Sequence, residues 1–287
     1  MTTLERQSPI DNPTFGYMMV SEHAAIAANW EQYKGYTVRP LPSTEMFYQS
    51  VADRFGNTDQ MSLVYGGTPE IRTCAHAANL TTILVDRSPT MVYAMGLLTS
   101  EGRTLLDNER LVQGNWLHMP IRDSSVSVAF GDDAINMVPW ELFGQFVTEA
   151  HRVLQKGGLF ACHLLVAPEE RYKHQSVVDV IHEYEAGMIE SEFDLASRIN
   201  FTFYDEETYQ MGWQRSIAGL ESLIEAGIID SDHDFIERFS NCNSIFACPP
   251  QTEWEKLIEP FFTVEEIFYP SEYDYCRFEP VYLLRKR

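Results

Sequence analysis

From residue 61 onward, short apolar runs alternate with segments of helical period. "MSLVYG" (61–66), "TTILVD" (81–86), "ERLVQGN" (109–115), "SVSVAFGD" (125–132) and "GGLFACHLLVA" (157–167) are short and rich in β-branched and aromatic residues, so they read as strands. Between them, "TPEIRTCAHAAN", "SPTMVYAMGLLTS" and "PWELFGQFVTEAHRVLQ" read as helices. "QTEWEKLIEPF" is a further helix, and "FTVEEIFYP" and "EPVYLLRKR" are two closing strands. Short, nearly all-apolar strands alternating with helices predict an α/β fold with a parallel sheet covered on both faces.

The flanks follow another rhythm. Residues 1–60 read as a helical, aromatic-rich arm, in which "PLPSTEMFYQSVADRFG" is a helix with Ser43 or Thr44 as its cap. Residues 168–248 interrupt the alternation with two or three helices and a possible short strand at "INFTFY". The expected division is an arm at 1–60, a core at 61–167, a lid-like insertion at 168–248 and the remainder of the core at 249–287. Aromatics of the insertion (Tyr172, Phe201, Phe203, Tyr204, Tyr209, Trp213) are expected to wall a pocket, several of them packing the lid itself instead.

Composition narrows the partners. The formal net charge is −21 with a pI near 4.7, and between 169 and 240 stand 17 acidic side chains against 5 basic ones. Such a field repels phosphate backbones and anionic bilayers, so nucleic acid and membrane surfaces are not expected as partners, and a small molecule is. No apolar stretch approaches the ~20 residues that span a bilayer, and "MTTLERQSPIDNP" lacks the segments of a signal peptide. The five cysteines are odd in number and none forms a C-x-x-C pair, so neither a disulfide framework nor a metal site is expected, and a cytoplasmic location is.

The chemistry concentrates after the first strand, in "SLVYGGTPEIR". Gly66 and Gly67 let backbone approach a ligand, Thr68 can cap the following helix and Pro69 suits its first position. Glu70 would repel a phosphate there, which argues for a ligand that is not a phosphate ester and against a NAD-dependent oxidoreductase. Asp86 stands 20 residues after Gly66, at the end of the second strand. A carboxylate there suits a ribose diol, or else caps the next helix. Arg87 follows it into the same loop. After the third strand, Asn115 can bond an adenine edge and Trp116 can cover its face or pack the core.

This order of motifs resembles the class I S-adenosylmethionine-dependent methyltransferases, from about 61 to 166 and again at 252–287. "LVYGGTPE" stands where their glycine loop stands, and "ILVDRSPTMV" where their ribose-binding acid stands. "LVQGNWLHMPIRDSSVSVAFGDDAINMV" is similar to their adenine loop and fourth strand, and "EAHRVLQKGGLFACHLLV" to their turn into the fifth. The resemblance implies a Rossmann-like sheet of order 3-2-1-4-5-7-6 and S-adenosyl-L-methionine as cofactor. Two departures stand out: G-x-G-x-G is reduced to Gly66-Gly67, and Leu63 and Val64 replace the acid often found near the end of strand 1.

The family places the end of strand 4 beside the sulfur, which makes Asp132, Asp133 and Asn136 the polar candidates there, although one of the two aspartates, Asp133, can instead merely cap or hydrate the turn. Tyr172 and His174 can face the ligand. Tyr33, Tyr36 and Arg39 can close over the methionine part, with Arg39 holding its carboxylate. His163, alone in an apolar strand, reads as a satisfied core group. An enzyme of the same fold can instead attack the γ-carbon of the cofactor, releasing methylthioadenosine and azetidine-2-carboxylate. A non-catalytic binding protein is the remaining alternative.

Overall fold

The computed structural model describes residues 30–35, 39–56, 60–169 and 175–287. Five parallel strands, β1 (Met61–Tyr65), β2 (Thr81–Asp86), β3 (Glu109–Gln113), β4 (Val126–Gly131) and β5 (Leu154–His163), are joined by β8 (Phe262–Phe268) and β9 (Val281–Lys286), with β6 and β7 lying in the insertion. The sheet order is β3-β2-β1-β4-β5-β9-β8, with the last two strands antiparallel. Counted by sheet strands alone, this is 3-2-1-4-5-7-6, as the sequence implied. Strand order reverses between β1 and β4, where such sheets bind their ligands.

The strands are apolar because both faces are covered. Val64, Leu84, Val128, Leu159 and Ala161 pack beneath helix α1 (Pro42–Asp53) and α2 (Pro69–Ala77), through Phe47, Tyr48, Val51 and Ile71. Their neighbours Leu63, Tyr65, Val85, Ala129 and Phe160 face the other way, against Phe143, Phe146 and Val147 of α4 (Phe143–Val153). Helix α3 (Pro89–Gly96) connects β2 to β3, and Ser88 caps it through the Met91 N–H. Helix α1 starts two or three residues earlier than its serine or threonine suggested. Leu41 is its N-cap and Pro42 its first residue, while the Ser43 N–H and Oγ are both taken by Glu272.

One charge pair is sunk into this frame. The Arg72 guanidinium of α2 spans both carboxylate oxygens of Glu109 at 2.8 and 2.6 Å, with side-chain exposures of 0% and 2%. Nη1 donates to the Val92 carbonyl and Nη2 also to the Thr104 carbonyl, and the Leu106 N–H donates to Glu109. The β3 edge is thereby fastened to α2.

The insertion holds α5 (Val177–Glu185), α6 (Glu192–Thr202), α7 (Trp213–Glu225) and α8 (Phe235–Phe239), with β6 (Gln210–Gly212) paired to β7 (Ile245–Ala247). It therefore has four helices among its described residues rather than two or three. "INFTFY" is not a strand: Ile199–Thr202 are the last turn of α6, whose buried Leu195, Ala196 and Ile199 keep a helical period only when read from Ser191. Helix α9 (Gln251–Ile258) returns the chain to the sheet.

Candidate functional site

Residues following β1, β2, β3 and β4 line two adjoining cavities of about 230 and 330 Å³, which share Met91, Trp116 and Met137. The larger is lined by Asp86, Arg87 and Asn115. The Asp86 carboxylate accepts the Ser88 N–H at 2.7 Å, so it shapes the loop as well as facing the cavity. Asn115 likewise turns its own loop, accepting the Leu117 N–H. Trp116 stands at the partition, its Nε1–H donating to the Val85 carbonyl at 2.7 Å.

The smaller cavity begins at Gly66, Gly67 and Thr68. Gly66 has φ +85°, a backbone angle that costs other residues strain. Gly67 serves packing, since a Cβ there would come within 3.1 Å of the Val92 Cα in α3. Thr68 is at the N-cap of α2 but its side chain makes no cap bond, so it supplies position and no hydrogen bond. Trp30, Tyr33, Tyr65, Trp116 and Phe246 give the walls an aromatic character, and Met95 adds to them. Asn241, Cys242, Asn243 and Ser244 come from the insertion.

Asp132 and Asp133 line this chamber, and behind them lies a buried charge cluster. His163 Nδ1 is 3.0 Å from Asp132 Oδ1 and 3.1 Å from Asp133 Oδ1, with the imidazole 2% exposed. The Tyr48 hydroxyl donates to Asp132 Oδ1 at 2.9 Å. A single Nδ1–H cannot point at both acids; it is aligned on Asp132, and Asp133 Oδ1 is left without an aligned donor. Burial pushes the Asp133 carboxyl up to about 7, with His163 opposing and Asp132 reinforcing the shift. Burial alone would lower His163, but Asp133 and Asp132 outweigh it and raise it to about 10. Glu279, 1% exposed, is raised well above the carboxylate range by burial, and neither of its oxygens has a partner among the described residues. Because His163 pairs with Val281 and the ladder continues through Leu164–Pro280, Glu279 falls on the sheet face that carries His163. His163 Nε2, also without a partner, completes an unsatisfied pair of groups.

Several expected site residues stand elsewhere. Asn136 is not at the chamber: fully buried, it donates to the Leu165 and Ala247 carbonyls and accepts the Leu165 N–H, so its amide is spent on joining β5 to the end of the insertion. Arg39 bonds Glu70 at 2.6 Å and lines a separate surface cavity with it, because a carboxylate in the first turn of α2 draws the guanidinium there. Glu70 also accepts the Trp30 Nε1–H, so it organises the arm instead of facing a ligand. Tyr36, Tyr172 and His174 lie outside the described residues. His163 is not a satisfied core group, and Asp133 does more than hydrate a turn. None of Phe201, Phe203, Tyr204, Tyr209 and Trp213 lines the chamber; Trp213 stacks on Phe239, which stacks on Tyr33, one layer behind the wall. Unforeseen were Trp30, Met91, Met95, Met137 and residues 241–246. Methionines at helical spacing look like core, and the 241–246 segment reaches the site only through tertiary folding.

Residues 66–162 match the family described as methyltransferase domain. Together with the strand order, this match gives the core the class I methyltransferase fold. No curated protein matches the chain. Among solved structures, the methyltransferase CcbJ from Streptomyces caelestis is 11% identical over 87% of this chain and 92% of its own, with a TM-score of 0.55. A 1,6-didemethyltoxoflavin-N1-methyltransferase from Burkholderia thailandensis, whose structure holds that compound and S-adenosylhomocysteine, is 9% identical over 98% and 92%, with a TM-score of 0.52. A methyltransferase from Methanosarcina mazei is 11% identical over 82% and 96%, at 0.50. At these identities the likeness speaks for the fold. S-adenosylmethionine is the cofactor of this family, and both cavities open at the sheet edge where such folds bind their ligands.

Proposed function

We propose that this protein transfers the methyl group of S-adenosyl-L-methionine to a small-molecule acceptor. The observation that carries the reading is the continuity of the two cavities around Trp116: an acid-bearing nucleoside side at Asp86 leads to an aromatic chamber that ends on Asp132 and Asp133. The lining fits the cofactor. In this reading Asp86, which lines the larger cavity, holds the ribose diol, Asn115 and Arg87 meet the base, and the faces of Trp30, Tyr33 and Trp116 with two acids favour the sulfonium. When bound, the cofactor supplies an electrophilic methyl group on a cationic sulfur. The protein's own part is to align an acceptor with that carbon and to exclude water, which residues 241–246 and the arm at Trp30 and Tyr33 are placed to do. We read 168–248 as the lid for this reason. A small acceptor accords with the aromatic chamber, with the net charge of −21 and with the 1,6-didemethyltoxoflavin bound by one neighbour. Among the described residues no helix is long and apolar enough to cross a membrane, and the five free cysteines suit a reducing, cytoplasmic compartment.

The test is calorimetric binding of S-adenosylmethionine followed by mass analysis of the nucleoside formed with a cell extract. S-adenosylhomocysteine supports the proposal, whereas methylthioadenosine as the sole product overturns methyl transfer. Asp86→Ala should weaken cofactor affinity about 30-fold, the loss of a charge-assisted pair worth about 2 kcal/mol, with the fold intact. An unchanged dissociation constant removes Asp86 from the site.

A further inference from the structure

The buried cluster behind the chamber is over-supplied with acids for a structural role. Four titratable groups, Asp132, Asp133, His163 and Glu279, meet there, and the atoms left without an aligned partner are Asp133 Oδ1, His163 Nε2 and both oxygens of Glu279. Such orphaned groups are uncommon in folded interiors and call for a reason. Asp133 is the member that combines three properties. It faces the chamber, its Oδ1 lacks an aligned donor although His163 Nδ1 is 3.1 Å away, and its backbone sits at φ +52°, a left-handed angle.

We propose that Asp133 is a proton-exchanging sensor of charge in the chamber: it is ionised while a sulfonium stands there and protonated when a neutral thioether takes its place. The inference rests on the cofactor reading above. The groups that face Asp133 are Asp132 beside it, Tyr48 from α1, Cys162 and His163 from β5, Cys248 after β7 and Glu279 before β9. Tyr48, Cys162 and Cys248 are pushed upward by burial and stay neutral, and Glu279 keeps its proton for the same cause. His163 keeps its charge against the two aspartates. Asp133 therefore holds the proton that is free to move near neutrality. A cation in the chamber opposes the burial that favours the acid form and expels this proton; once the cation is gone, the proton returns.

This gives the released proton of a turnover a destination. The acceptor's lone pair forms the bond to the methyl carbon, and the broken C–S pair stays on sulfur. An acceptor that arrives as N–H or O–H must then lose one proton, and Asp133, now beside a neutral sulfur, takes it. His163 and Glu279 are positioning residues: they hold Asp133 in the half-satisfied state that makes the exchange possible. Tyr48 and His163 both donate to Asp132 Oδ1, which leaves Asp133 the acid of the cluster without an aligned donor.

The experiment is isothermal titration of the full chain with S-adenosylmethionine and, separately, S-adenosylhomocysteine, at pH 7 in two buffers of different ionisation enthalpy, with EDTA throughout. With Asp133 raised to about 7, binding of the sulfonium at pH 7 should release protons and binding of the thioether should take them up. Asp133→Asn should abolish the difference. A readout that needs no variant is the affinity ratio of the two ligands between pH 5.5 and 7.0, where the preference for the sulfonium should rise several-fold with pH. Equal proton counts and a pH-independent ratio overturn the sensor while leaving the cofactor reading intact. Absence of binding by either ligand overturns both. A sulfonium that binds only once a divalent ion replaces EDTA overturns the sensor.

Discussion

Two buried charged clusters in this molecule have opposite characters. At Arg72–Glu109 each guanidinium nitrogen meets an acceptor, and Glu109 takes a further N–H from Leu106. At Asp133–His163–Glu279 three side chains keep atoms without an aligned partner, although burial is as deep. Burial is therefore not what distinguishes a working site from a fastening. Satisfaction is. A completed network has nothing to gain from a ligand or a proton, whereas an incomplete one changes state when either arrives.

The sharpest way to break this contrast is to unpair the completed cluster. Arg72→Met should strand the Glu109 carboxylate and cost about 3–5 kcal/mol of stability, measured by urea denaturation. A loss under 1 kcal/mol would mean that the pair is not the fastening described. A gentler probe is the same amide swap in both clusters. Glu109→Gln should cost about 2 kcal/mol, because Arg72 keeps a buried charge with half its partner gone. The pH dependence of stability comes next. His163 rises from 6.5 to about 10 on folding, so its contribution is complete below about 6.5 and is lost as pH climbs through about 10. Asp133, raised from 3.8 to about 7, acts in the same sense: its share is present below 3.8 and lost through about 7. Urea midpoints should fall from pH 6 to pH 10, and His163→Gln should flatten the upper half of that fall; midpoints that rise with pH would contradict the cluster. The smallest effect belongs to Glu279→Gln. Burial already pushes its carboxyl strongly towards the neutral form, so the amide should change stability by less than about 1 kcal/mol. A loss as large as that of Glu109→Gln would erase the distinction between the clusters.

Much of the sheet was legible because its signals are local. Apolar runs of strand length and the Gly66–Asp86 interval lie within one stretch of chain, and they placed β1 and β2 correctly and brought both residues to one sheet edge. The reacting edge was less legible for a physical reason. Whether His163 is a quiet core histidine depends on Asp132 and Asp133 some thirty residues before it, and on Glu279, which reaches it through an antiparallel pairing no local pattern reports. Asn136 failed in the opposite direction. Its neighbourhood in "GDDAIN" looked catalytic, yet its partners at Leu165 and Ala247 consume the amide. Arg39 was drawn away by Glu70, the same acid that had argued against a phosphate ligand.

Asn136 has a consequence of its own. One side chain binds Leu165, where the chain leaves the sheet, and Ala247, where it comes back, and the Ala167 N–H meets the Pro249 carbonyl beside it. The eighty-odd residues in between thus depart and return through a single doorway. A different helical hairpin could close the same small gap, at an entropic cost that grows slowly with its length, provided it also covers Tyr33 and Tyr275, against which Phe239 and Phe201 pack. For an engineer this makes 168–248 the natural place to graft a new acceptor preference while the sheet stays as it is.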